Sequence, residues 1–132
     1  MSKIALRVTD ETFSGKILNE IFLSVASELI IVQDVIKARV YSEVDKYNNL
    51  LPTYYNGLVQ PVDAEKTLNG FKMKEKRKID PEKQFYIACD AFMKNAFFML
   101  IDSVQATSLD EELMLTKNTT VSFVKLTPLV GG

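Results

Sequence analysis

The sequence contains no histidine and no tryptophan, and a single cysteine, Cys89. Without histidine there is no imidazole acid-base group, no Ser-His or Cys-His nucleophile pair, and no mixed Cys/His zinc site. One thiol excludes an internal disulfide and a thiolate metal cluster, and its setting, Tyr86-Ile87-Ala88-Cys89, reads as a buried small hydrophobe rather than a nucleophile. Charge of one sign is also lacking. With 16 basic and 17 acidic residues the net charge is −1, so no overall field draws the chain to nucleic acid or to an anionic membrane. Without tryptophan, and with Tyr54-Tyr55 and Phe97-Phe98 scattered, no nucleic-acid stacking face forms. No apolar run approaches the roughly 18 residues of a membrane span, and Met1-Ser2-Lys3-Ile4 lacks the form of a signal peptide. The expected compartment is the cytoplasm. Glycines are few, and Asn69-Gly70 and Ser14-Gly15-Lys16 are isolated turns, not a phosphate loop. The acids Asp110-Glu111-Glu112 read as a solvated loop before a cation site. No metal ligands, no permanently bound cofactor and no enzyme constellation are expected.

What is present suits one domain: 132 residues, 47% apolar and 25% charged, is enough to bury roughly two thirds of the unfolded surface. Residues 4–9 start an alternating pattern, and residues 14–16 punctuate it before a second apolar run over 17–25, which predicts an opening hairpin. The period then changes. Val32, Val35, Ile36, Val40, Val44 and Tyr47 fall at steps of three and four, predicting a helix over about 32–48 with Asp34, Lys37, Arg39, Glu43 and Lys46 on its other side. Asn48-Asn49 and Pro52 are expected to end it.

Residues 50–78 have no clear period and are expected to form a long excursion with a short strand around Phe71. Its charged run, residues 72–78, reads as a solvated loop, with a docking patch for an acidic partner as the sharper alternative. Asp80-Pro81-Glu82 supplies an N-cap, a proline at the first helical position and acid in the first turn. A second helix is predicted to about Ala96, with Phe85, Ala88, Cys89, Phe92, Met93 and Ala96 on one buried face. A buried strand over 97–101, a turn near Asp102-Ser103, a polar turn at residues 117–119 and a closing strand over 120–126 complete the pattern. Segregated helices against a mixed sheet give the α+β class.

After that strand come Pro128-Leu129-Val130-Gly131-Gly132. Two glycines make a thin thread able to enter a narrow channel, and five extended residues reach at most about 17 Å. Pro128 removes a backbone donor and would end sheet pairing.

The element order and residues 115–132 resemble the β-grasp superfamily, with a leucine, a polar turn, a strand, a proline, a small apolar pair and Gly-Gly at the close. The closing segment is similar to those of the molybdopterin-synthase small subunit and the thiamine sulfur carriers, although it has Asn118-Thr119-Thr120 and Thr127 where they carry an Asp-Gly-Asp-like turn and often a second proline. The extra length resembles the ubiquitin-like modifiers of bacterial operons. The resemblance implies a ubiquitin-like domain over 1–127 with an inserted loop and second helix at about 49–96, and a flexible tail over 128–132.

It further implies that a ubiquitin-activating-type enzyme uses ATP and Mg²⁺ to adenylate the Gly132 carboxylate, with Gly131 slender enough for the channel and Pro128, Leu129 and Val130 read by partner pockets. A conjugating enzyme, a deubiquitinase-like protease and a target protein would be the other partners. Two fates remain open for the adenylate: transfer to a target, or conversion to the thiocarboxylate of a sulfur carrier. A third reading is a noncovalent structural or assembly protein in which Gly-Gly is incidental. Exposed edge strands would also permit self-association.

Overall fold

The computed structural model describes residues 4–50, 54–55, 64–67, 70–73 and 78–125. Ile4–Glu11 (β1) and Ile17–Val25 (β2) form the expected hairpin, paired from Ile4↔Val25 to Asp10↔Asn19 with a bulge at Asp10/Glu11. Gly15 sits in its turn at φ 94°, a conformation that favours glycine. Leu29–Ile31 (β3) follows, then the helix Val32–Leu50 (α1). The remaining elements are Tyr54–Tyr55 (β4), Ala64–Thr67 (β5), Gly70–Met73 (β6), the helix Pro81–Met93 (α2), Phe97–Ile101 (β7), Val104–Gln105 (β8), Glu112–Met114 (β9) and Thr120–Lys125 (β10).

The fold is mixed α+β. A five-stranded sheet runs β2-β1-β10-β7-β8, with β10 parallel to β1 and antiparallel to β7. This architecture is compatible with a β-grasp. A two-stranded pair, β3-β9, and a three-stranded sheet, β4-β6-β5, complete it. The strand anticipated around Phe71 is β6. Its partners β4 and β5, and the short β3, β8 and β9, carry too few residues for a period to show.

Period-2 alternation sends Leu6 and Val8 of β1, Leu23 and Val25 of β2, Phe97 and Met99 of β7, and Val121 and Phe123 of β10 into one core, where all are buried. The α1 stripe Val32, Val35, Ile36, Val40, Val44 and Tyr47 is buried with them, as its spacing predicts. Tilted ring contacts run from Phe92 of α2 to Phe97 at 5.9 Å and from Phe97 to Phe123 at 5.8 Å, tying helix, edge region and central strand together.

Several expectations are corrected. The helix α1 ends at Leu50, within two residues of the expected end and before Pro52. Near that end Asn48 clamps the segment before α2, donating to the Ile79 carbonyl at 3.0 Å and accepting from its N–H at 2.8 Å. Helix α2 begins as predicted, with Asp80 accepting from the Glu82 N–H at 3.0 Å, but ends at Met93, short of Ala96. The cause is Asn95, whose φ of 60° turns the chain toward β7. Met93, 68% exposed, and Ala96 therefore lie outside the buried face, while Phe85, Ala88, Cys89 and Phe92 are in it. Arg39 and Glu43, assigned to the solvent side of α1, are buried.

Loss of the α2 cap through Asp80→Ala should lower stability by about 1 kcal/mol, whereas Phe123→Ala should lower it by about 3–5 kcal/mol. Urea unfolding midpoints read both, and equal losses would contradict this division between a surface cap and a packed core.

Candidate functional site

Gly132, Gly131, Pro128, Leu129 and Val130 lie outside the described residues, as does Leu126 of the expected strand; the described chain reaches residue 125. That point is Lys125, the last residue of β10, opposite Phe97 of β7, with Val124 beside Glu11 of β1. Because β10 lies between β1 and β7, this last described residue stands on a central strand of the sheet.

The start of β10 is fixed by a two-residue turn. Asp102 and Ser103 both have positive φ, 49° and 73°, which matches the twist needed between β7 and β8. The Asp102 side chain accepts from the Thr120 N–H at 2.9 Å, and the Asp102 N–H donates to the Thr120 carbonyl at 2.9 Å.

Near the other end lies a buried ionic cluster. Arg39 of α1 donates through both terminal nitrogens to the carboxylate of Asp10, with Nη2 to Oδ2 at 2.7 Å, and through Nε to Glu43 Oε2 at 3.1 Å. Its Cζ lies 4.6 Å from the centroid of the Phe123 ring. Arg39 is 1% exposed, so desolvation works against its charge. The hydrogen bond to Asp10 and the attraction of Glu43 and Asp10 outweigh that penalty and hold its pKa above the ordinary arginine value. Asp10 stands opposite Phe123, two positions before Lys125, so the cluster braces β1, α1 and β10 near the last described residues of that strand.

This cluster escaped the sequence reading, though one signal was present. Arg39 and Glu43 are an i, i+4 pair lying between Ile36 and Tyr47 on a stripe wider than the apolar residues alone define. Nothing local links either to Asp10.

On the opposite sheet face, Thr9 and Ser122 stand side by side in the parallel register, both buried, with Thr9 Oγ1 donating toward Glu11 at 2.7 Å and 3.1 Å from Ser122 Oγ. An open groove of about 570 Å³ adjoins the start of β7, with Phe92, Met93, Phe97, Phe98 and Leu109 among its apolar lining.

The acids at 110–112 do not converge. Glu111 accepts from the Thr107 N–H at 2.9 Å, Asp110 accepts from the Ser108 hydroxyl at 2.7 Å, and Glu112 belongs to β9. The backbone of this loop serves α1, whose first N–H groups, on Val32 and Gln33, donate to the carbonyls of Glu111 and Leu109. Among the described residues no group of three or more His, Cys, Asp or Glu side chains could hold a metal ion, and no helix is long and apolar enough to cross a membrane. In the charged run, Lys72 and Met73 belong to β6, Lys78 is exposed, and residues 74–77 lie outside the described set. Cys89 is buried, as its apolar neighbours predict, and burial pushes its thiol pKa up.

The chain matches no protein-family model, no curated protein and no solved structure.

Two outcomes follow from these side chains. Arg39→Ala should lower stability by about 3–5 kcal/mol by removing the buried cation that the Asp10 and Glu43 carboxylates face, whereas Arg7→Ala, which removes an exposed pair with Glu20, should change it by about 0–1 kcal/mol. Denaturant unfolding checks the contrast. Below the ordinary thiol range, about pH 8.5, Cys89 is protonated in both states and its contribution is whole; as pH rises the unfolded chain ionises first, and the contribution is lost by the time pH passes the raised folded value. Unfolding midpoints across alkaline pH should therefore fall less steeply for Cys89→Ala than for the parent chain.

Proposed function

We propose that this protein is a ubiquitin-like modifier, activated at the Gly132 carboxylate and joined through it to a target protein. The observation that carries the reading is the path of the chain through the five-stranded sheet. An N-terminal hairpin is followed by α1, and β10 enters beside β1 in parallel, between β1 and β7. That order supports a β-grasp domain, in which Lys125, the last described residue, belongs to a central strand paired on both sides.

In the proposed sequence the Gly132 carboxylate oxygen attacks the α-phosphate of ATP held with Mg²⁺ by an adenylating enzyme. A mixed anhydride with AMP forms and pyrophosphate leaves. A thiolate of the conjugating machinery attacks the acyl carbon and releases AMP, and a target amine or hydroxyl then displaces the thiolate to give an amide or ester. The modifier supplies the nucleophilic carboxylate, and the partners supply the catalytic groups. Gly131 is the narrow residue at the channel, Pro128 ends backbone pairing, and Leu129 and Val130 are read by the partner's pockets. A deubiquitinase-like protease would reverse the linkage.

The test is mass spectrometry on cells that express the protein with its native gene neighbourhood. Intact masses report whether Gly132 is the terminus of the mature chain, and tryptic masses report what is attached to it. An amide or ester remnant on another protein is the expected result. Oxygen-to-sulfur exchange at Gly132 would identify a sulfur carrier instead, and a free carboxylate throughout would assign a noncovalent assembly role. Gly131→Ala should lower conjugate yield at least about tenfold, equivalent to ~1.4 kcal/mol, with no shift in the urea midpoint.

A further inference from the structure

The two sides of β7 are covered unequally. On one side β10 pairs with it from Phe97 to Ile101; on the other β8 pairs with Leu100 and Ile101, and the Ala106 N–H adds one bond to the Met99 carbonyl at 2.8 Å. Among the described residues no strand faces Phe97 and Phe98 on that second side. The groove of about 570 Å³ opens there, with the buried Phe92 and Phe97, then Met93, Phe98 and Leu109, and with Asp110 as the single charged residue among its described lining. Met93, whose spacing on α2 predicts burial, is 68% exposed beside it.

Connectivity singles out one segment for this groove. Lys125 stands opposite Phe97 in the antiparallel register, and Leu126-Thr127-Pro128-Leu129-Val130 follow it in sequence. From β10 past β7 to the groove is two strand spacings, about 10 Å, and the four residues that end at Leu129 reach at most about 14 Å when extended. The segment between Leu50 and Lys78 has both attachments by the Asn48–Ile79 clamp, at the other end of the 13-residue α2 and about 20 Å from Met93. Residues 1–3 precede Ile4, at the opposite end of β1 from the Glu11–Val124 pair. The chemistry agrees with the connectivity. Residues 126–130 carry no charge to meet Asp110, and Leu129 and Val130 are adjacent aliphatic side chains. Successive side chains of an extended segment point to opposite faces, and Phe97 and Phe98, successive on β7, offer an aromatic ring on each face. A cavity of about 150 Å³ holds benzene, so both aliphatic groups fit. A tether this short sets an effective concentration in the millimolar range, enough to fill a site that a free peptide would occupy weakly. We propose that Leu129 and Val130 seat in this groove, folding the C-terminal segment back across the start of β7. The groove and the tether carry the proposal whatever chemistry occurs at Gly132.

Thiol labelling of the full chain tests it. Val130→Cys with Cys89→Ala gives one thiol, on the proposed occupant, and a small apolar one. Met93→Glu, at an exposed position, then puts a charge beside the groove and leaves the core intact, with circular dichroism and the urea midpoint as checks on the fold. The introduced thiol should react with a maleimide about tenfold faster once Met93→Glu is present, and the rate in either chain should not change on dilution. In the parent sequence, nuclear Overhauser contacts should join the Leu129 and Val130 methyls to the Met93 ε-methyl and the Phe98 ring. Equal labelling rates with and without Met93→Glu, or the absence of those contacts, overturn the proposal. So does a rate that rises on dilution, which assigns the groove to the same segment of another copy, or a Met93 ε-methyl resonance that ignores Leu129→Ser with Val130→Ser and moves only when an apolar peptide of another protein is added.

Discussion

The guanidinium of Arg39 is the point at which three separate parts of the chain meet. It bonds Asp10 at the end of β1 and Glu43 one turn along α1, and it lies over the ring of Phe123 in β10. Replacing such an ion cluster with apolar groups of equal volume is often neutral or better for stability. Its physical effect here is alignment. A one-residue slip of β10 would turn Phe123 to the opposite sheet face and leave the buried cation without its ring. A rotation of α1 would strand Asp10. The cluster thus couples helix placement to strand register at the end of the sheet where β10 finishes.

Polar side chains do comparable work at the other joints, always by meeting backbone groups that regular structure leaves over. Asn48 satisfies both backbone groups of Ile79, so the end of α1 and the approach to α2 are held together across 31 residues. Asp102 does the same for Thr120 at the start of β10. The 109–111 loop lends its carbonyls to the first turn of α1. Such bonds pair backbone donors and acceptors that the helices and strands leave unmatched, at half-buried and exposed joints of the fold. Their consequence for function is a central strand constrained at its start by Asp102 and near its finish by the Arg39 cluster.

The two edges of the main sheet differ as much as its two faces. One face carries the aromatic and aliphatic core; the other carries Thr9 and Ser122 at its centre and the exposed Phe22 toward β2. One edge is a two-residue strand, the other a nine-residue strand with apolar side chains in water. A partner seated on the outer face or on the β2 edge would leave the core undisturbed, which separates recognition from folding in this architecture.

Much of the fold was legible in order. The hairpin, the α1 stripe, the Asp80-Pro81 helix start, the Asp102-Ser103 turn and the buried position of Cys89 all follow from local spacing and turn chemistry, because each depends on residues within a few positions of one another. The absence of histidine and the presence of one cysteine likewise exclude whole chemistries before any coordinates exist. Tertiary structure decided the rest. The length of α2 was settled by Asn95 turning away toward β7, and the pairing of β3 with β9 joins segments about 80 residues apart, too short to announce themselves. Arg39 and Glu43 read as solvent-facing because charge ordinarily seeks water. Their burial became favourable only when folding brought Asp10, 29 residues earlier in the chain, and Phe123 against the same helix, a juxtaposition that no local pattern encodes.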